Sequence, residues 1–369
     1  MKNKKWSLLL LLIAVALILG ACGGSGGGGD DTEGTNEGAE EDNFSVAMVT
    51  DVGGVDDKSF NQSAWEGIQA FGKDYNLEQG DNGYDYLQSQ SDADYIPNLN
   101  QMVRRDFDLI FGIGYLFIEA INEVAQQNPD VYFGIVDAEV DQPNVVSIMF
   151  KEQEASFLAG VAAALTTKTG KVGFVGGMEL DVIKRFESGF RAGVAAVDPN
   201  IEVIVNYVGA FNDVAGGQQA ASAIYNQGAD VIFHASGDTG NGVFAEAKEL
   251  VQQNPDNRVW VIGVDRDQYE QGEVEGLGIN VTLTSVVKHV GNAVYEVSER
   301  TMNGDFPGGE TLWFGLADEG VGLATTGDHI PQEHWDVINE WKEKIVNGEI
   351  TVPSTDEELD AYLTELGAE

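Results

Sequence analysis

The segment Asp51-Val52-Gly53-Gly54-Val55-Asp56-Asp57-Lys58-Ser59-Phe60-Asn61-Gln62 packs carboxylates, a hydroxyl, amides and one aromatic ring into a single loop. This set suits holding a small molecule better than breaking its bonds. Phe60 offers a flat face for stacking, while Asp51, Ser59 and Asn61 offer hydrogen-bonding groups. Ser59 or Asn61 could also serve as the N-cap of a helix starting here, and Phe60 could belong to a core. An aromatic in so polar a stretch reads as a recognition residue. Asp56, Asp57 and Asp267 read as surface charges. Asp137 resembles Asp51 in position, since each carboxylate directly follows an apolar run.

Bond-breaking chemistry finds little support. Gly173-Phe174-Val175-Gly176-Gly177 does not fit Gly-x-Gly-x-x-Gly, and Gly112-Ile113-Gly114 alone is too short to carry a dinucleotide. No Gly-x-Ser-x-Gly elbow follows a strand, the sole match, Gly23-Gly24-Ser25-Gly26-Gly27, lying in the Gly-rich run after Cys22. His234, His289, His329 and His334 show no His-x-x-x-His or Cys/His metal spacing. His234, at a strand end, reads as a polar filler or a ligand contact. No catalytic residue, metal site or cofactor is expected.

The elements that must position the loop follow an alternating pattern. Short apolar runs at Ser45–Thr50, Tyr84–Leu87, Leu109–Gly112, Val131–Val136 and Val145–Phe150 read as strands. Helical stretches fall between them at Gln62–Lys73, Ile96–Arg105 and Phe117–Gln127. The pattern restarts after a small-residue helix at Gln153–Leu165, with strands at Lys171–Gly176, Glu202–Tyr207, Val231–His234 and Val259–Val264. Such alternation predicts α/β lobes, each a doubly wound parallel sheet flanked by helices. The boundaries expected are an N-terminal lobe over 44–150 and a C-terminal lobe over 151–282. A return segment to the first lobe is expected near 283–315, and a C-terminal segment of the second near 320–369. The acidic tail from Pro353 is placed at the periphery. Ligands bind such sheets beyond the carboxyl ends of the strands.

Composition narrows the partners. The chain has 369 residues, 20 basic and 61 acidic, for a net charge of -41. That field repels nucleic acid and anionic lipid surfaces. The lone cysteine, Cys22, excludes an intrachain disulfide. It follows a leader with Lys2, Lys4 and Lys5, an apolar run from Leu8 to Leu19, and small residues, the order of a secretory signal. Leu19-Gly20-Ala21-Cys22 resembles a bacterial lipobox. That resemblance implies a signal peptide over 1–21, a lipid on Cys22, and an extracytoplasmic protein anchored to the cell membrane. Residues 22–43, rich in Gly and acidic side chains, read as a flexible tether.

A wider resemblance covers most of the chain beyond the tether. Asp51, Asp57-Lys58-Ser59-Phe60-Asn61-Gln62 and Trp65-Glu66-Gly67 resemble the opening motif of the basic membrane protein family, the purine-nucleoside-binding lipoproteins of ABC importers. Gly112-Ile113-Gly114-Tyr115, Val136-Asp137, Phe157-Leu158-Ala159-Gly160, Gly263-Val264-Asp265-Arg266-Asp267-Gln268 and Ser285-Val286-Val287-Lys288 extend the match in order. The resemblance implies a two-lobed type I periplasmic-binding-protein fold with a nucleoside between the lobes. It implies Phe60 and Phe211 on opposite faces of the base, and Asp51 and Asp137 at its edge. Asp265 would take the ribose hydroxyls, and Lys288 would donate to the same sugar and keep Asp265 ionised. Gly237 would permit close approach to the ribose. Tyr115 stands where many relatives carry phenylalanine. The implied partners are a nucleoside and the permease and ATPase subunits of an importer, with the protein itself a monomer. Alternatives are a same-fold binder of a sugar or signalling furanose, a nucleoside hydrolase, or a surface receptor.

Overall fold

The central apolar runs become largely buried strands, while the runs at Tyr84–Gln88 and Glu202–Tyr207, at the sheet edges, are mostly half-buried. A computed structural model describes residues 44–367. The leader 1–21, the lipobox cysteine Cys22 and the tether 22–43 lie outside the described residues. In the first lobe, β1 (Val46–Thr50), β2 (Tyr84–Gln88), β3 (Leu109–Ile113), β4 (Tyr132–Val136) and β5 (Val145–Phe150) alternate with α1 (Phe60–Asp74), α2 (Tyr95–Arg104) and α3 (Ile118–Gln127). Helix α4 (Glu152–Thr166) leads into the second lobe. There β6 (Lys171–Gly176), β7 (Glu202–Tyr207), β8 (Val231–Ala235) and β9 (Trp260–Asp265) alternate with α5 (Asp181–Val197), α6 (Val214–Asn226) and α7 (Thr239–Gln253). A small hairpin of β10 (Glu273–Val274) and β11 (Ile279–Asn280) precedes β12 (Thr282–Lys288). The chain ends through α8 (Val290–Met302), β13 (Thr311–Phe314), β14 (Val321–Leu323), α9 (Gln332–Val346) and α10 (Asp356–Leu366).

The two large sheets share one plan. Their strand orders are β13-β5-β4-β3-β1-β2 and β14-β12-β9-β8-β6-β7, with every pair parallel except the edge pair β12–β14. In each sheet the winding reverses beside the first strand, between β1 and β3 and between β6 and β8. A crevice opens at such a reversal because neighbouring crossovers run to opposite faces. The two crevices face each other.

The return crossing comes later than 283. Thr282–Lys288 pairs with β9 and β14 in the second sheet, so the chain goes back to the first lobe only at α8 and β13. Helix α8 lies hard against α1: a Cβ on Gly67 would stand 2.2 Å from the Gly291 carbonyl oxygen. The small-residue character of α4 has the same cause. A Cβ on Gly160 would stand 2.2 Å from Phe190 O, and one on Gly193 would stand 2.0 Å from Phe157 O. Only glycine allows α4 and α5 to cross at that distance. The acidic tail is ordered as α10. Thr355 Oγ1 accepts from Glu358 N at 3.2 Å, Leu359 is buried, and the helix packs on α5.

Candidate functional site

The carboxyl ends of the strands gather the polar residues. Asp51 follows β1, Tyr115 follows β3 and Asp137 follows β4, while Ser59 precedes α1 and Phe60 and Asn61 sit in its first turn. From the other lobe, Phe211 lies between β7 and α6, Gly237 follows β8, Asp265 ends β9 and Lys288 ends β12. The cleft is lined by Asp51, Phe60, Asn61, Tyr115 and Asp137 on one side and Phe211, Gly237, Asp265 and Lys288 on the other. Its empty space, open mouth included, is about 580 Å³, within the few hundred Å³ usual for small-molecule sites. Ser59 stands behind this wall, fully buried, with Oγ donating to Asp265 Oδ2 at 2.6 Å.

The start of α1 is built differently from the sequence expectation. Ser59 makes no side-chain cap. Asp57 does that work: Oδ1 accepts from Ser59 N and Gln62 N at 2.8 and 3.1 Å, and Oδ2 accepts from Asn61 N at 2.8 Å. Asp57 is therefore not a surface charge but 1% exposed, because the orphan N–H groups of a helix start draw a carboxylate inward. Burial pushes its carboxyl up to about 6, against the lowering effect of those hydrogen bonds.

Glycines make room for both rings. A Cβ on Gly177 would stand 2.4 Å from the Phe211 ring, and one on Gly114 would stand 3.4 Å from Phe60. Gly237 has φ +58 and lies beside Phe211. Asp137 and Asp265 also hold left-handed backbone, with φ 66 and 64. Side chains rarely accept that conformation, and aspartate tolerates it better than most.

Lys288 is the buried cation of the cleft, 2% exposed. Its Nζ lies 2.6 Å from Asp137 Oδ2, 3.5 Å from Glu152 Oε1 and 3.9 Å from Asp265 Oδ1. The close partner is thus Asp137, where the sequence reading paired it with Asp265. Burial opposes the ammonium charge, yet the three carboxylates hold its pKa above the usual lysine range. The same ammonium sits 4.7 Å above the Phe60 ring. Burial pushes the Asp265 carboxyl up, with Lys288 and Ser59 pulling the other way. Behind Asp137, Glu152 is fully buried and takes Arg185 Nε at 2.6 Å.

His234 proves structural. Gln268 Oε1 accepts from Val264 N at 2.9 Å and lies 3.0 Å from His234 Nε2, so that nitrogen donates. Ser236 Oγ faces the other ring nitrogen at 3.3 Å. Burial lowers the imidazole to about 4, which keeps it neutral. Among the described residues, no group of three or more His, Cys, Asp or Glu side chains is placed to hold a metal ion.

Sequence reasoning missed Asp57, Glu152 and Arg185. Asp57 carried a usable signal, an acidic residue just ahead of a helix start. Glu152 and Arg185 carried none, because they meet only when α4 and α5 pack.

The lobes are drawn together. Gln268 Nε2 donates to Lys58 O at 3.0 Å, Asn241 Nδ2 donates to Asp57 O at 3.3 Å, and Arg266 holds Glu66 through two bonds of 2.7 and 3.2 Å. A two-lobed shell, shut over an aromatic and acidic cleft, is a device for capture. The family model for ABC transporter substrate-binding proteins of the PnrA-like kind matches residues 44–356. The chain belongs to this family. It is a substrate-binding protein of the ABC-transporter type. It is 56% identical over 314 residues to a CD4+ T-cell-stimulating antigen of Listeria innocua, covering 84% of this chain and 88% of that one. It is 44% identical to an ABC transporter nucleoside-binding protein, BmpA, of Lactococcus lactis, covering 88% and 93%. Among solved structures, a solute-binding protein of an ABC transporter from Aeropyrum pernix superposes with TM-score 0.75 at 27% identity, covering 88% and 98%. No described helix is long and apolar enough to cross a membrane.

Proposed function

We propose that this protein captures nucleosides, purine nucleosides first, outside the cytoplasmic membrane and delivers them to an ABC importer. One observation carries the reading: Phe60 and Phe211, from opposite lobes, line a single cleft that also presents the carboxylates of Asp51, Asp137 and Asp265 and the amide of Asn61 among apolar side chains. Two rings favour a flat heterocycle, at roughly 1–3 kcal/mol per stacked base. The oxygens suit the N–H groups of a base and the hydroxyls of a sugar. Asp51 and Asp137 serve the base, Asp265 serves the ribose, and Gly237 lets the sugar approach the backbone. The similarity to a relative described as nucleoside-binding supports the same reading. Capture proceeds by closure and release by opening, without covalent change. The chain acts as a monomer, and Cys22 carries the lipid that keeps it near its permease.

Calorimetric titration of the purified protein with guanosine, inosine, adenosine, cytidine and free ribose tests this reading. Purine nucleosides are expected to bind with micromolar or tighter affinity, and ribose far more weakly. Ribose binding as well as the nucleosides would favour a sugar carrier. Appearance of free base during incubation would favour a hydrolase.

A further inference from the structure

Asn61 is the amide in the cleft wall, and its orientation is locked. Its Nδ2 donates to Asp51 Oδ1 at 2.8 Å and to Asp57 Oδ2 at 3.0 Å. An amide nitrogen has two hydrogens, and both are committed. Turning the amide over would set its oxygen against two carboxylate oxygens, acceptor against acceptor. Asp57 cannot move to relieve this, because its oxygens also hold the first N–H groups of α1. Asn61 Oδ1 is left buried and without a partner. Asp137 Oδ1 is also buried without a partner, its other oxygen being taken by Lys288. Among the described cleft-lining residues, these are the buried side-chain atoms that lack a hydrogen bond. Both can only accept.

We infer that the Asp57–Asn61 pair selects a base whose edge donates hydrogen bonds, and so favours lactam purines such as guanosine over adenosine. The inference rests on the nucleoside reading and deepens it. Guanine presents N1–H beside an exocyclic amino group, whereas hypoxanthine presents N1–H alone. Adenine presents its amino group beside a bare N1 acceptor. A bare N1 facing either oxygen leaves two acceptors desolvated with no proton between them, a mismatch that polar sites reject strongly. Asp57 spends its oxygens on Asn61 and on the helix start, so it acts as a positioning residue.

The test compares guanosine, inosine and adenosine by calorimetry on the intact protein and two variants at neutral pH. The wild type is expected to bind guanosine at least about tenfold tighter than adenosine, with inosine between them. Asp57→Asn breaks the acceptor pair that fixes the amide and should lower the guanosine-to-adenosine ratio about fivefold or more. Asn61→Ala leaves the Asp57 bonds to the α1 backbone in place and should lower the ratio likewise; it decides the matter if Asp57→Asn does not fold. A purely structural role would weaken all purines alike and leave the ratio unchanged, which overturns the inference. Equal wild-type affinity for guanosine and adenosine overturns it while sparing the nucleoside reading. Failure to bind any nucleoside overturns both.

Discussion

Ser59 Oγ, at the start of α1 in the first lobe, donates a 2.6 Å hydrogen bond to Asp265 Oδ2, at the end of β9 in the second. The neighbouring carbonyls of Asp57 and Lys58 take Asn241 and Gln268 of the same opposing lobe. Three consecutive residues thus each receive or make one bond across the cleft. The turn that fixes Asn61 is also the turn on which the lobes close, so recognition and closure share one piece of backbone.

Arg266 and Glu66 extend that closure toward the surface, where Glu66 is 47% exposed. Exposed ion pairs contribute about 0.2–1 kcal/mol and are screened by salt. Glu66→Gln should therefore raise the ligand dissociation rate by no more than about fivefold. Stopped-flow measurement across a salt series checks this: the wild-type rate should rise with salt and the variant rate should not.

The aromatic walls should act on affinity rather than on folding. Phe60→Ala and Phe211→Ala are each expected to weaken purine nucleoside binding about tenfold or more, near 1.4 kcal/mol. Calorimetry gives the affinity, and a thermal melt without ligand should move little, because both rings are only partly buried.

Lys288 should behave in the opposite way. Lys288→Met leaves Asp137, Glu152 and Asp265 without their shared cation. Breaking a buried pair by removing one partner costs about 3–5 kcal/mol. The melting temperature at neutral pH should fall sharply. Part of the loss should return near pH 5, where the stranded carboxylates can be neutralised.

Acid should separate stability from binding in the wild type. Asp57 is pushed up to about 6 in the folded protein, above the ordinary value of 3.8, and burial also raises Asp137. The folded state then holds protons that the unfolded chain has released. Their contribution to stability is fully present below the unfolded value and is lost as pH rises through about 6. Ligand-free protein should thus melt higher at pH 5 than at pH 7.5. Nucleoside affinity should move the other way, falling as pH drops through 6, because Asp57 holds Asn61 and Asp137 accepts only when ionised. Paired melts and titrations over this range check both signs.

Much of the fold was legible because parallel strands buried on both faces must be continuous apolar runs, as β1, β3 and β8 are. Strand β13 escaped notice because it is a short edge strand whose residues alternate between exposed and half-buried. Helix α10 escaped because its acidic sequence hides a single well-buried leucine, Leu359. The site was legible where a polar residue interrupts an apolar run, as at Asp51, Asp137 and Asp265. At Asp57 the signal, an acidic residue just ahead of a helix start, was passed over among 61 acidic residues. Nor could sequence show that Lys288 would choose Asp137 over Asp265, since that follows from how β12 and β4 end on opposite sides of the cleft.

A crystal structure of the protein with a purine nucleoside bound tests the central claim most directly. The base is expected to lie between Phe60 and Phe211, with ring centroids within about 4.5–7 Å of each, and the ribose hydroxyls on Asp265. A nucleoside bound elsewhere, or a cleft left to solvent at saturating ligand, would contradict it.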